Sequence, residues 1–197
     1  MNEKPQAEIN TVLAAGALET QTEHGHKGFG SVSDLSGPCV GATSKPILDA
    51  CCGSRMFWFD KDNQNVIFGD KRNESHILCD GRVLNVKPDI KMDFTDIPFD
   101  DESFNLVVFD PPHFSKLGAN SWMAKKYGKL FPGWEIEIKA GFDECMRVLK
   151  TNGTLIFKWN TRQIKLKYLL NILEASPLFG HTSRKNGETI WMTFMKF

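Results

Sequence analysis

The chain has no excess of charge of either sign: 24 lysines and arginines stand against 24 aspartates and glutamates in 197 residues. That balance disfavours a polybasic nucleic-acid binder of the whole-chain kind. With 41% hydrophobic residues it also excludes a mostly disordered chain, which is poorer in apolar residues and carries a larger net charge. No apolar run approaches the roughly 18 residues needed to span a bilayer. The opening Met1-Asn2-Glu3-Lys4-Pro5 lacks the basic-then-apolar profile of a signal peptide, so a cytoplasmic protein with no membrane partner is expected. Cys39, Cys51, Cys52, Cys79 and Cys145 are odd in number and have no Cys-x-x-Cys spacing, which suggests neither a disulfide framework nor a metal site. The three-glycine phosphate loop of nicotinamide-dependent oxidoreductases is missing as well.

The neutral total conceals two opposite halves. Residues 1–114 carry 10 basic and 18 acidic side chains, a net of −8, and residues 115–197 carry 14 and 6, a net of +8. The first 45 residues, rich in Gly, Ser, Thr and Ala, read as a peripheral segment or lid, with a short helix fitting Ala7 to Thr20. From Pro46 to the end, short apolar runs alternate with helix-length segments, the signature of a single α/β domain with a mostly parallel sheet. Strands fit Pro46 to Cys51, Asn65 to Phe68, Ile90 to Phe94, Phe104 to Phe109, Thr154 to Trp159 and Thr189 to Met195. Helices fit Glu135 to Leu149 and Arg162 to Ala175. Between Asp70 and Pro88 there is little room for a helical crossover, and Asp80-Gly81 between Ile77-Leu78 and Val83-Leu84 reads as a hairpin turn with positive φ at both central positions.

Three strand ends carry acids. Ile47-Leu48-Asp49-Ala50-Cys51-Cys52-Gly53-Ser54-Arg55 is a buried strand running into a turn of small residues, which presents backbone N–H groups at the edge where open α/β sheets bind ligands. Taken alone, such a turn need be no more than a tight strand exit. Twenty-one positions after Asp49, the strand Val66-Ile67-Phe68 ends at Gly69-Asp70, an acid suited to accept both hydroxyls of a ribose. Asp93 ends the third strand and is placed to accept from an adenine amino group, although an isolated acid there also serves as a cap.

The sharpest motif is Leu106-Val107-Val108-Phe109-Asp110-Pro111-Pro112-His113-Phe114. Two prolines fix φ and remove two backbone donors, pinning a rigid turn in which Asp110 and backbone carbonyls face one small volume. Such acceptors hold an N–H₂ group and help its nitrogen become tetrahedral as it attacks an electrophile. His113 and Phe114 are candidates to stack on the ring that bears it.

These residues resemble class I S-adenosylmethionine-dependent methyltransferases, specifically those with the [Asp/Asn]-Pro-Pro-[aromatic] motif of amino methyltransferases. The resemblance implies a Rossmann-like fold: a mostly parallel seven-stranded sheet with helices on both faces and an antiparallel last strand. It implies S-adenosyl-L-methionine as cofactor, held by Asp49, Cys51, Gly53, Arg55, Asp70 and Asp93, with Asp110, Pro111, Pro112 and His113 as the catalytic motif. The chain is also similar to small phage and prophage methyltransferases, which carry the strings Lys158-Trp159-Asn160 and Leu178-Phe179-Gly180-His181. Two positions depart from the pattern: Arg55 stands where the loop usually has Gly, and His113 stands where Tyr, Phe or Trp is usual. Arg55 implies either a wider turn or a guanidinium that reaches the cofactor carboxylate.

The second half offers candidate substrate contacts. Ser115 to Lys129 has four lysines and no acid, interleaved with Trp122 and Tyr127, a mixture that suits backbone tracking and base stacking but also suits a solvated loop. Phe114, Lys125, Lys126 and Asn160, with Lys158 as an alternative to Asn160, are the residues expected to touch substrate, and Trp159 is expected in the core. His181, Arg184 and Lys185 are candidates for a second basic patch. The expected reaction is methyl transfer to an exocyclic amine of a DNA or RNA base. The alternatives are transfer to a protein amide or small molecule, and a noncatalytic nucleotide-binding protein on the same fold.

Overall fold

A computed structural model describes residues 43–118, 121–183 and 187–197. The expected lid at residues 1–45 and its helix from Ala7 to Thr20 therefore lie outside the described residues, apart from 43–45, as do Arg184 and Lys185. The elements are β1 (Ile47–Asp49), β2 (Val66–Asp70), β3 (Glu74–Ile77), β4 (Val83–Val86), β5 (Ile90–Lys91), β6 (Phe104–Phe109), α1 (Trp122–Tyr127), α2 (Trp134–Val148), β7 (Leu149–Asn160), α3 (Leu166–Leu173), β8 (Phe179–Ser183) and β9 (Thr189–Met195). Seven strands form one sheet in the order β5-β2-β1-β6-β7-β9-β8, and β3 and β4 pair separately. Only β9 runs against the others. The mostly parallel sheet with an antiparallel last strand is thus present, in a Rossmann-like arrangement. Among the described residues no helix is long and apolar enough to cross a membrane.

Continuous apolar runs such as Leu106-Val107-Val108-Phe109 form these strands because a central parallel strand is covered on both faces. One face carries Leu48, Val107, Phe109, Leu155, Phe157, Trp159, Met192 and Phe194, packed with α2 and α3 in the main core. The helix α2 turns Trp134, Ile138, Gly141, Phe142, Cys145 and Val148 toward that core at helical spacing. Each large side chain removed from water there contributes roughly 1.5–3 kcal/mol. Arg147 fastens the same helix to the segment before β6, donating to the carbonyls of Ile97 (2.8 Å) and Phe99 (2.9 Å) and pairing with Glu144.

Among the described residues α2 and α3 share one face, and the other is met by the segment between β1 and β2: Trp58 packs edge-on against Phe68 and Phe57 edge-on against Trp191. That segment contains Asp60-Lys61-Asp62-Asn63-Gln64-Asn65, a polar run with no helical stripe, so it turns instead.

The hairpin forms where the sequence places it, with a different turn. Gly81 alone is left-handed (φ 80°), and three residues, Cys79 to Gly81, join Leu78 to Arg82. This is a tight turn followed by a left-handed glycine, the three-residue alternative to the two-residue hairpin. Two elements had no sequence expectation: β8, and α1, which Ser121 caps by accepting from the Met123 N–H.

Gly141 marks the closest approach of α2 to the site side of the sheet. A Cβ there would stand 2.4 Å from Phe94 and 2.9 Å from Phe109. We predict that Gly141→Val lowers unfolding stability by about 1–3 kcal/mol through overpacking, read from urea denaturation.

Candidate active site

Because β2 and β5 extend the sheet from one side of β1 and β6 from the other, the chain reverses direction at β1 and leaves a crevice at the strands' carboxyl ends. Asp49, Asp70 and Asp110 stand at that edge, and each carboxylate has its own set of donors.

Asp49 is fully buried. It accepts from Trp58 Nε1 (2.7 Å) and from the Cys51 N–H (3.3 Å), and burial, opposed by those bonds, pushes its pKa up to about 7. Its role here is to hold the turn after β1. Asp70 accepts from the Gly53 N–H (2.8 Å) and the Arg72 N–H (2.8 Å), and the Arg72 guanidinium lies along both carboxylate oxygens (3.2 and 3.4 Å). Asp93, further out, pairs with Lys71 (2.8 Å) and accepts twice from Thr95. Burial works against its charge, yet these partners hold its carboxyl below the usual range.

Asp110 is different. One oxygen, Oδ2, accepts from Lys158 Nζ at 2.5 Å, and the Lys158 ammonium faces the edge-on ring pair of Phe57 and Trp191. The other, Oδ1, is buried with no hydrogen-bond partner among the described residues; His113 Nδ1 lies 4.0 Å from it. His113 Nδ1 instead donates to the Pro111 carbonyl (3.2 Å), and burial lowers the imidazole pKa, so the ring is neutral near pH 7. A buried carboxylate oxygen left open costs free energy unless a donor is brought to it.

Two cavities meet at this edge. One of about 340 Å³ lies between Asp70, Asp93, Phe94, Pro112, Leu130 and Phe131. A narrow hollow of about 30 Å³ is lined by Gly53, Phe57, Asp110, His113 and Tyr127. Cys51 and Arg72 line both, so Arg72 stands as the partition. Burial raises the Cys51 thiol pKa well above its usual value, which makes it a lining group and not a nucleophile. Gly128, the left-handed cap of α1 (φ 75°), has no room for a side chain: a Cβ would meet Pro112 at 2.8 Å. The proline turn thereby fixes where α1 sits.

The structure brings Asp49, Cys51, Gly53, Asp70 and Asp93 to the two cavities or their immediate support, and Asp110, Pro112 and His113 to the edge between them. It does not bring four others there. Arg55 does occupy a left-handed position (φ 53°), as the usual glycine would, but its guanidinium is taken up by the carbonyls of Lys61 (2.6 Å) and Lys87 (2.9 Å) and by Asp89 (2.7 Å), above the ring of Phe68. Phe114 is buried beneath His113. Asn160 donates to Thr189 Oγ1 and accepts from the Arg162 N–H, closing the end of β7. Lys125 contributes its carbonyl to Arg72. Of the basic stretch, Lys126 does reach the hollow. Trp159 is fully buried, as expected. Arg72 and Trp58 were missed; the only signal was an arginine two residues beyond a strand-end acid.

No protein-family model matches the chain, and no curated protein matches it. Among solved structures, the chain is similar to the PH0226 protein of Pyrococcus horikoshii OT3 at 13% identity, over 77% of this chain and 82% of that one, with a TM-score of 0.46. It is also similar to a TehB-like SAM-dependent methyltransferase from Corynebacterium glutamicum ATCC 13032 Kitasato at 14% identity, over 83% of each chain, with a TM-score of 0.43. Neither likeness bears on what this chain does.

Two predictions concern the buried acids. Lys158→Met leaves the Asp110 carboxylate without its cation and is expected to cost about 3–5 kcal/mol, most of it recovered in the double variant with Asp110→Asn, by denaturant titration of all three proteins. For Asp49, the raised pKa means that the folded chain holds a proton the unfolded chain has already released. Its stabilising contribution is complete below the ordinary carboxylate range and is lost as pH rises through about 7. Asp49→Asn removes this slope, so between about pH 5 and pH 8 the native chain should lose stability that the variant keeps. His113 slopes the opposite way but is common to both proteins, so their difference reports Asp49.

Proposed function

We propose that this chain is a methyltransferase that takes its methyl group from S-adenosyl-L-methionine and delivers it to an exocyclic amino nitrogen of a nucleic-acid base. The observation that carries the reading is Asp110 Oδ1, a buried carboxylate oxygen with no partner among the described residues, at the hollow of about 30 Å³ and in a Pro-Pro turn whose Pro112 lines the cavity of about 340 Å³. The strand-end order Asp49, Asp70, Asp93, Asp110 supports it, as does the crevice at the reversal of the sheet.

The residues present fit the cofactor. Asp70 lines the larger of these two cavities; the hydroxyls of a ribose would take the place of the Arg72 guanidinium on its carboxylate, whose bonds (3.2 and 3.4 Å) are longer than those from the Gly53 and Arg72 backbone N–H groups. Phe94, Pro112, Leu130 and Phe131 supply an apolar slot of the kind that covers a purine, with Asp93 at its rim. When bound, the cofactor supplies an electrophilic methyl group on a sulfonium.

The chain's own residues then deal with the amine. Asp110 Oδ1 accepts one of its two N–H bonds, which orients the nitrogen and favours its pyramidal form as it becomes a nucleophile. Lys158 fixes the carboxylate by holding Oδ2, so that Oδ1 is presented in one orientation. The neutral His113, turned by its bond to the Pro111 carbonyl, offers a ring face at the hollow and keeps a second positive charge away from the reacting nitrogen. The proton released from nitrogen after transfer has Asp110 Oδ1 as its nearest base. Holding the two reactants in line is the main source of acceleration, worth roughly 7–11 kcal/mol in favourable cases.

Incubation with radiolabelled S-adenosyl-L-methionine, followed by separation of nucleic-acid, protein and metabolite fractions, tests the reading. Label is expected in nucleic acid, and Asp110→Ala should reduce its incorporation by about 10²-fold or more. Label confined to protein or metabolites, or transfer unchanged in the variant, would contradict it.

A further inference from the structure

A third cavity is larger than either of the two above. A cleft of about 540 Å³ opens between the segment after β1 and the β3–β4 hairpin. Arg55, Lys61, Arg82, Lys87 and Lys126 line it, against one carboxylate, Asp62. Four of those five cations come from the half of the chain that is acidic by composition, so the fold concentrates on one wall what the sequence disperses.

The cations are not equivalent. Arg55 is fixed by two carbonyls and Asp89 and ties the two walls together; Arg82 pairs with Asp80 at the hairpin tip. Lys61, Lys87 and Lys126 have no carboxylate within ion-pair distance among the described residues. Lys126 stands over the rings of Trp122 and Tyr127, and with Lys61 and Lys87 around the same trough it gives the cleft a positive potential that favours an anion. Met56, Leu78 and Val83 give the trough an apolar component, and Val83 stands across from Ile77 on an exposed hairpin face.

Position decides what the anion is. Gly53, Ser54, Met56 and Lys126 line both this cleft and the hollow that holds Asp110 and His113. An anion in the cleft is therefore continuous with whatever group enters at Asp110, and it lies apart from the cavity beside Asp70 and Asp93. A chain of phosphates attached to the reacting base meets both conditions. We infer that the cleft walled by the β3–β4 hairpin is the phosphodiester track of the nucleic-acid substrate, with Lys61, Lys87 and Lys126 on phosphates flanking the nucleotide whose amine enters at Asp110. This rests on the reading above that the acceptor is a nucleic-acid base. The hairpin, which occupies the place of a crossover helix, then serves to wall a basic groove beside the catalytic turn.

Fluorescence anisotropy with labelled single-stranded DNA, single-stranded RNA and duplex DNA, between about 50 and 200 mM salt, tests the track on the full-length chain. The double variant Lys61→Gln/Lys87→Gln is compared with the native protein. Each lost phosphate contact lowers the slope of log K against log salt by roughly 0.7–0.9, so the pair should lower it by about 1.4–1.8 and weaken binding at low salt on the order of tenfold. Calorimetric binding of S-adenosylhomocysteine should be unchanged, which separates loss of the track from loss of the fold. Native binding to nucleic acid with the same slope in the variant would overturn the track while leaving the nucleic-acid reading intact. Absence of binding to all three probes by the native protein would overturn both. The tightest probe identifies the track's occupant as DNA or RNA.

Discussion

Three carboxylates at neighbouring strand ends set the terms for the rest of this structure. Asp49, Asp70 and Asp110 lie close enough that the charge on the latter two adds to the burial that raises the Asp49 pKa. Like charges gathered in a half-buried edge are costly, and each has been given a different remedy. Asp49 takes an indole N–H and a backbone N–H, Asp70 an arginine laid along it, and Asp110 a lysine. Much of the local architecture follows from supplying those donors. Trp58 comes over the sheet to reach Asp49, Arg72 bridges from the end of β2 to the α1 carbonyl of Lys125, and Lys158 lies against a pair of aromatic rings. Among the described residues, Asp110 Oδ1 is the buried side-chain acceptor left open, and the proposed function puts the substrate donor there.

The crossovers show how a common sheet is adapted. The connections on one side of β1 contain no helix among the described residues, and their apolar cover comes from Phe57 and Trp58, while the hairpin fills the second connection. A helix would have presented a closed surface there. Loop and hairpin leave between them a groove of about 540 Å³, braced by Arg55. The same left-handed Arg55 that departs from the glycine pattern thus braces the groove, its guanidinium taken up by the Lys61 and Lys87 carbonyls and Asp89.

Most of the sheet was legible in the sequence because buried parallel strands announce themselves as apolar runs: β6 and β9 match their expected bounds, and the acids at the ends of β1, β2 and β6 sit where the spacing puts them. The hairpin was legible from Asp80-Gly81, although its turn type was not, since an extra loop residue is invisible in a dipeptide. What sequence did not show is which partner each charged group would choose. Nothing in the order of residues says that Lys158, and not Asn160, reaches Asp110, since the alternation of β7 puts Lys158 and Asn160 on the same face and only the cross-strand neighbours Trp191 and Thr189 separate their fates. Nor does composition show that Arg55, Lys61, Arg82 and Lys87 converge, because they come from two separate segments joined only by folding.

Methyl transfer from S-adenosyl-L-methionine requires that the cavity beside Asp70 hold the cofactor. The most direct measurement is a calorimetric titration of the chain and of Asp70→Ala with S-adenosylhomocysteine. Saturable one-site binding to the native chain that disappears in the variant is the predicted result; no heat of binding with the native chain, or the same affinity in both, would contradict it.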